Sequence, residues 1–208
     1  MSKAGPTLGS VRSIDGKAFD LIARALAART YRASDNQSSY APAAVLLPLY
    51  LKDGECHLLF NRRTQSVERH KGEISFPGGT RDPEDKDQLD NALRETWEEM
   101  GIRREDVRIL GRLDDTLTHS GFAVSSFVGA IPYPYPFVPS PSEIAEVLEV
   151  SVAHLLTPAN QREEVAWLDG ALAKMYSYTY GRHLIFGATA RIVDDFLELV
   201  REALAGEG

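Results

Sequence analysis

Apolar residues recur at helical spacing in three stretches of the chain. Across residues 17–29, Phe19, Ile22 and Leu26 fall on one side and predict a short amphipathic helix. From about Lys86 to Met100, the residues Leu89, Ala92, Leu93, Thr96 and Met100 repeat at the same period. Asp85 and Asp87 suit the N-terminal turn of that helix, Gly101 is placed to end it, and Trp97 is expected to pack beneath it. Residues 187–205 carry a third apolar face built from Ile192, Val193, Phe196, Leu199, Val200 and Ala203. The β-type runs are Ala43–Leu51 and His57–Asn61, separated by the turn signal Lys52-Asp53-Gly54-Glu55, then 107–114, 122–131, Val147–Val152 and Met175–Tyr180. Residues 31–40 read as a polar loop and 62–72 as basic and irregular. Ser75-Phe76-Pro77-Gly78-Gly79 reads as a turn, and Pro132-Tyr133-Pro134-Tyr135-Pro136 as a stiff loop. Strands and helices in this irregular order suggest α/β or α+β and not a regular doubly wound sheet.

Composition narrows the class. The 208 residues suffice for one core, and a 43% hydrophobic, 25% charged composition is that of a soluble globular chain. Thirty acids against 23 Lys and Arg leave a formal charge of −7, which argues against a general nucleic-acid coat. The single cysteine, Cys56, cannot form an intramolecular disulfide or a thiolate metal cluster, and it fits a reducing compartment. The N-terminal segment has no apolar h-region, and the longest apolar stretch, Ala41–Leu51, is too short for a membrane span. A cytoplasmic protein without nucleic-acid or membrane partners is expected.

The informative segment is Arg94-Glu95-Thr96-Trp97-Glu98-Glu99-Met100-Gly101-Ile102. Glu95, Glu98 and Glu99 stand at i, i+3 and i+4, so a helix brings them to one face. Like charges at that spacing repel, and a hard dication would relieve the repulsion. Oxygen ligands without Cys or His nearby suit Mg²⁺ or Mn²⁺. A solvated acidic face with Arg94 paired to Glu98 explains the helix alone equally well. Context shifts the balance. A Gly-Gly turn at 78–79 lets backbone approach a ligand, and Arg62, Arg63, Arg69, His70 and Lys71 precede it with one acid, Glu68, among them. Cations beside clustered carboxylates suit a metal-bound phosphate substrate.

This segment resembles the second half of the Nudix box of the Nudix hydrolases. Thr96 departs from the apolar residue usual there, and the stretch from Gly79 to Arg94 is one residue longer than the standard box. Asp85 stands where the first box glutamate would be, which implies an Asp85–Arg94 pair. The extra residue, together with Leu58-Leu59-Phe60-Asn61-Arg62-Arg63 and the run from Arg69 to Pro83, is similar to the signature of the coenzyme A pyrophosphatase branch. In that signature Phe60 replaces a Thr, Arg63 a Ser and Glu73 a Gln. Thr118–Phe122, Glu143–Val147, Leu155–Asn160 and Ile185–Ala190 also look like the branch, so the resemblance covers about residues 40–200.

The resemblance implies an α/β fold, specifically a Nudix-type α/β/α sandwich with a mixed central sheet, a loop-helix-loop box and an added N-terminal helix. Residues 1–39 would form an arm and helix, and 40–205 the hydrolase domain. It further implies metal-dependent hydrolysis of coenzyme A to 3′,5′-ADP and 4′-phosphopantetheine. Glu95, Glu98, Glu99 and the Gly78 carbonyl would hold Mg²⁺ or Mn²⁺. Glu98 is the first choice for general base, with Glu143 and Glu146 as alternatives. Arg62, Arg63, Arg69, His70 and Lys71 are candidates for the substrate phosphates. His119 reads best as a satisfied strand-end histidine, and Tyr133, Tyr135 and Phe137 as packing aromatics. The competing readings are a hydrolase of ADP-ribose, a dinucleotide or a nucleoside triphosphate, and a non-catalytic binding module. A homodimer is compatible with the sequence, which determines no oligomeric state.

Overall fold

Strand β1, Ala41–Lys52, is buried on both faces for most of its length, as its near-continuous apolar sequence demands. Successive side chains alternate, so Leu47 and Leu49 enter one core and Ala44 and Leu46 another. The computed structural model describes residues 17–32, 39–66, 71–168 and 171–205. The hairpin partner of β1 is β2, Glu55–Arg63, joined through Asp53-Gly54 with φ of 52° and 80°. Positive φ at both central residues matches the right-handed strand twist.

The two strands then diverge. They pair only over Leu49–Lys52 and Glu55–Leu58, and the segment from Ile74 to Thr80 enters the gap. Its first piece, β3 (Ile74–Ser75), pairs with β2, and its second, β4 (Gly78–Thr80), pairs with β1 at Ala43–Val45. Between them the Leu46 amide donates to the Pro77 carbonyl at 2.9 Å. Pro48 lies where β1 passes from one partner to the other, so its missing N–H removes no ladder bond.

On its other edge β1 runs parallel to β7, Phe122–Ala130, which pairs antiparallel with β5 (Arg108–Arg112) and β6 (Thr116–Leu117). Strand β8, Ile144–Ser151, lies antiparallel to β2. The sheet is therefore mixed. Helix α1 (Lys17–Ala28) shares a core with Leu47, Leu49 and the C-terminal helix on one face. Helix α2 (Gln88–Met100) covers the other through Ala92 and Leu93 against Ala44, Leu46 and Phe127. This is an α/β/α sandwich with an added N-terminal helix. After the short helix α3 (Val152–Leu156) comes a separate antiparallel sheet of β9 (Gln161–Leu168), β10 (Ala171–Tyr180) and β11 (His183–Ile185). Helix α4, Gly187–Ala205, closes the described chain.

Several local expectations need correction. Residues 62–63 belong to β2 and not to an irregular segment, because β8 and the 73–75 stretch supply partners. The Ser75–Gly79 stretch is two short strands around a bend, since open sheet edges on both sides offer hydrogen bonds. Val152 starts a helix with Ser151 as its cap. Trp97 is 57% exposed, because the apolar face of α2 is filled by smaller residues on the sheet side. Strands β6, β9 and β11 were not legible: β9 carries no apolar alternation, and the others are too short to show a period. Among the described residues no helix is long and apolar enough to cross a membrane.

Candidate active site on the carboxylate helix

Helix α2 is closed at both ends by its own sequence. Asp87 accepts from the Asp90 amide at 2.8 Å, and Gly101 adopts φ 69°, sending its amide back to the Trp97 carbonyl. The last carbonyls are taken by the chain after the proline-rich loop: Val138 donates to Met100 and Ser140 to Glu99, each at 2.9 Å. That strap brings Glu143 beside the helix end.

Glu99 is the buried member of the trio, with 2% of its side chain exposed. Asn61 Nδ2 donates to its Oε2 at 2.7 Å and the Gly78 amide to the same oxygen at 3.2 Å. Arg63 Nη1 meets its Oε1 at 3.0 Å and reaches Glu143 with Nη2 at 3.4 Å. Burial pushes the Glu99 carboxyl up to about 7, opposed by Arg63 and the Gly78 amide and reinforced by the charges of Glu95 and Glu143. Burial also raises Glu95, against the pull of Arg94. Glu98 is more open, and Arg94 Nη1 bonds both Glu95 and Glu98 at 3.0 Å.

Two glycines let the backbone come this close. A Cβ on Gly78, at φ +154°, would stand 2.3 Å from the Ala44 carbonyl oxygen and 2.7 Å from Val45 Cα. A Cβ on Gly79 would stand 2.5 Å from the Glu95 carboxylate. A cavity of about 870 Å³ opens here. Arg63, Gly78, Glu95, Glu98, Glu99 and Glu143 line one part of it. His119, Lys174, Tyr176, Phe186 and Arg191 line another.

The NUDIX domain family profile matches residues 39–169. The chain belongs to the Nudix family. It is 35% identical over 170 residues to the uncharacterized Nudix hydrolase NudL of Photorhabdus laumondii, covering 82% of this chain and 89% of that one. It is 33% identical over 151 residues to the uncharacterized NudL of Yersinia pestis, covering 73% and 75%. The MutT protein from Methanosarcina mazei superposes with a TM-score of 0.52 at 21% identity, over 81% of this chain and 98% of that one. A MutT/nudix family protein from Enterococcus faecalis gives 0.54 at 15% identity, over 83% and 64%. These two structures share the Nudix fold.

Within this Nudix chain the residues singled out from sequence separate into groups. Glu95, Glu98, Glu99, Gly78, Arg63 and Glu143 face one cavity. Glu146 is not among its lining residues: it pairs with Arg62 at 3.0 Å, His183 at 3.2 Å and Arg182 at 3.5 Å. Arg62 goes with it, because neighbouring strand residues point to opposite faces. Lys71 is exposed in a turn and does not line the cavity, while Arg69 and His70 lie outside the described residues. His119, in the exposed turn that follows β6, lines the cavity. Tyr133, Tyr135 and Phe137 pack around Tyr50, Met100 and Ile102. Sequence reasoning did not single out Asn61 as a partner of Glu99 or place Lys174, Phe186 and Arg191 at the site. The position of Asn61 beside Arg62 and Arg63 was the only available signal.

The donor set suits a hard dication. It is all oxygen, and the buried Glu99 carboxylate needs positive charge. Among the described residues no three acidic, His or Cys side chains enclose an ion site as they stand, because Arg63 and Arg94 hold the glutamate oxygens.

Proposed function

We propose that this Nudix protein hydrolyses the diphosphate of coenzyme A, releasing 3′,5′-ADP and 4′-phosphopantetheine with Mg²⁺ or Mn²⁺ bound. The observation that carries the hydrolase reading is the meeting of Glu95, Glu98, Glu99, Glu143 and Arg63 on one cavity wall. The choice of coenzyme A rests on the run of residues resembling the pyrophosphatase branch. A cavity continuing past the carboxylates to Met175, Tyr176 and Phe186 supports it, since a substrate with an extended arm beyond the diphosphate needs such space.

Glu95, Glu98 and Glu99 would hold the dication, with the Gly78 carbonyl as a backbone donor. Bound there, the ion would offset diphosphate charge and acidify a water. Arg63 has a planar fork suited to phosphate oxygens. Glu98, the most exposed of the box carboxylates, takes the proton from the attacking water, with Glu143 as the alternative base. Water adds its oxygen to one phosphorus, the bridging oxygen leaves with the other phosphate, and the protons are shared between products and base. Arg94 keeps Glu95 and Glu98 on the cavity side of α2.

Incubation of purified protein with coenzyme A and Mg²⁺ or Mn²⁺, followed by product separation, tests the reading. Equal amounts of the two named products, none with chelator, and a large loss of rate on dephospho-coenzyme A are expected. Equal or faster turnover of ADP-ribose or a dinucleotide would transfer the assignment to that substrate. No turnover of any of these would remove it.

A further inference from the structure

Two cations serve the carboxylates of this site, and they do different work. Arg94 is anchored from below by Asp85 and touches the exposed ends of Glu95 and Glu98. Arg63 comes from β2, far away in sequence, and spans Glu99 Oε1 at 3.0 Å and Glu143 Oε2 at 3.4 Å. The other oxygen of Glu99 is held by neutral donors, Asn61 Nδ2 and the Gly78 amide. Those donors fix the carboxylate in place but bring no full charge. Among the described residues Arg63 is the one cation bonded to Glu99. Its side chain is only 21% exposed, and it lines the cavity. The signature that residues 58–63 resemble has Ser at this position, which brings no charge.

We propose that Arg63 is a built-in counter-cation for Glu99 and Glu143: it occupies their free oxygens until a divalent ion displaces it, and then turns toward the substrate diphosphate. This rests on the reading of Glu95, Glu98 and Glu99 as metal ligands. The physical reason is exclusion. A dication and a guanidinium drawn to one carboxylate oxygen repel at contact distance. Glu99 does not have to move when they exchange, because Asn61 and Gly78 keep it oriented. Arg63 moves only within the cavity it already lines, where phosphate oxygens offer its fork a replacement for two carboxylates. Metal loading and phosphate binding are thereby coupled through one side chain.

The experiment is titration with Mn²⁺ alone, followed by calorimetry, of the wild-type full chain, Arg63→Gln, Arg63→Lys and Glu98→Gln. Arg63→Gln should bind Mn²⁺ at least about fivefold more tightly than wild type, the low end of ordinary site coupling, with Arg63→Lys between the two. Arg63→Gln should also raise KM for the diphosphate substrate, whereas an arginine that merely props the site would weaken metal and substrate together. Unchanged or weaker Mn²⁺ binding by a folded Arg63→Gln would overturn the proposal. Where that variant does not fold, the wild-type protein decides. Its Arg63 Nε resonance, identified by its loss in Arg63→Lys, should shift as Mg²⁺ is added, and a fixed resonance at saturation would sink the idea. The parent reading fails separately: it is lost if wild type binds no Mn²⁺, or binds it as well after Glu98→Gln.

Discussion

Asp85 and Arg94 form a two-pronged ion pair, with Nε to Oδ1 at 2.9 Å and Nη2 to Oδ2 at 3.0 Å. The carboxylate is 3% exposed and also accepts from the Asp82 amide at 2.7 Å. It therefore ties the loop before α2 to the helix, and through Arg94 to Glu95 and Glu98. The Arg94 guanidinium holds the Asp85 carboxyl below its ordinary value of 3.8.

That depression has a consequence in acid. A carboxyl whose folded value is lowered contributes stability above its unfolded value, and loses it as pH falls through the folded one. The Asp85 contribution should be whole above about pH 5 and fade below the ordinary value of 3.8. Asp85→Asn should cost about 2 kcal/mol at neutral pH, as for a hydrogen bond to a charged group, and less in acid. Urea unfolding of both proteins at pH 7 and pH 3 checks this; an equal difference at both pH values contradicts it.

The adjacent glycines should fail in different ways. At Gly78 an added Cβ meets the backbone of β1, which cannot yield without parting the strands. At Gly79 it meets the carboxylate end of the Glu95 side chain and no backbone. Gly78→Ala is expected to lose about 2–3 kcal/mol, as for backbone strain with overpacking. Gly79→Ala should lose less stability but cut turnover. Thermal melts alongside rates separate the two, and a Gly79→Ala protein of full activity would refute the distinction.

Glu98→Gln should reduce kcat by a factor of about 10² or more, the usual size of a general-base effect. Its exposed pair with Arg94 should contribute no more than about 1 kcal/mol, so the fold should stand. If Glu143→Gln causes the greater loss in kcat, Glu143 is the base. Glu146→Gln, outside the cavity lining, should leave kcat within a few-fold.

Trp97 offers a control on the same helix. With 57% of it exposed, Trp97→Gln should change stability by less than about 0.5 kcal/mol. A loss of several kcal/mol would mean that the side chain is covered in solution.

Periodicity placed α2 and α4 because a helix needs only local spacing, and the Asp53-Gly54 turn placed the first hairpin for the same reason. Strand β9 left no such trace: over Gln161–Val165 it shows no alternating buried face and is mostly exposed. The location of Trp97 was misread because helix spacing does not say which of two adjacent faces the sheet will cover.

From the chain alone came the clustering of Glu95, Glu98 and Glu99, set by helix pitch, and the glycines that admit them. Their partners came only with folding. Arg63 reaches Glu99, and Glu143 reaches Arg63, because the split of β1 from β2, the β2–β8 register shift beside Arg63 and the strap of Val138 and Ser140 bring them there. Strand alternation then sent Arg62 to the face opposite its immediate neighbour Arg63, where Glu146 pairs with it. Helix geometry acts over one turn, whereas pairing between distant residues is decided by register, which no local pattern encodes.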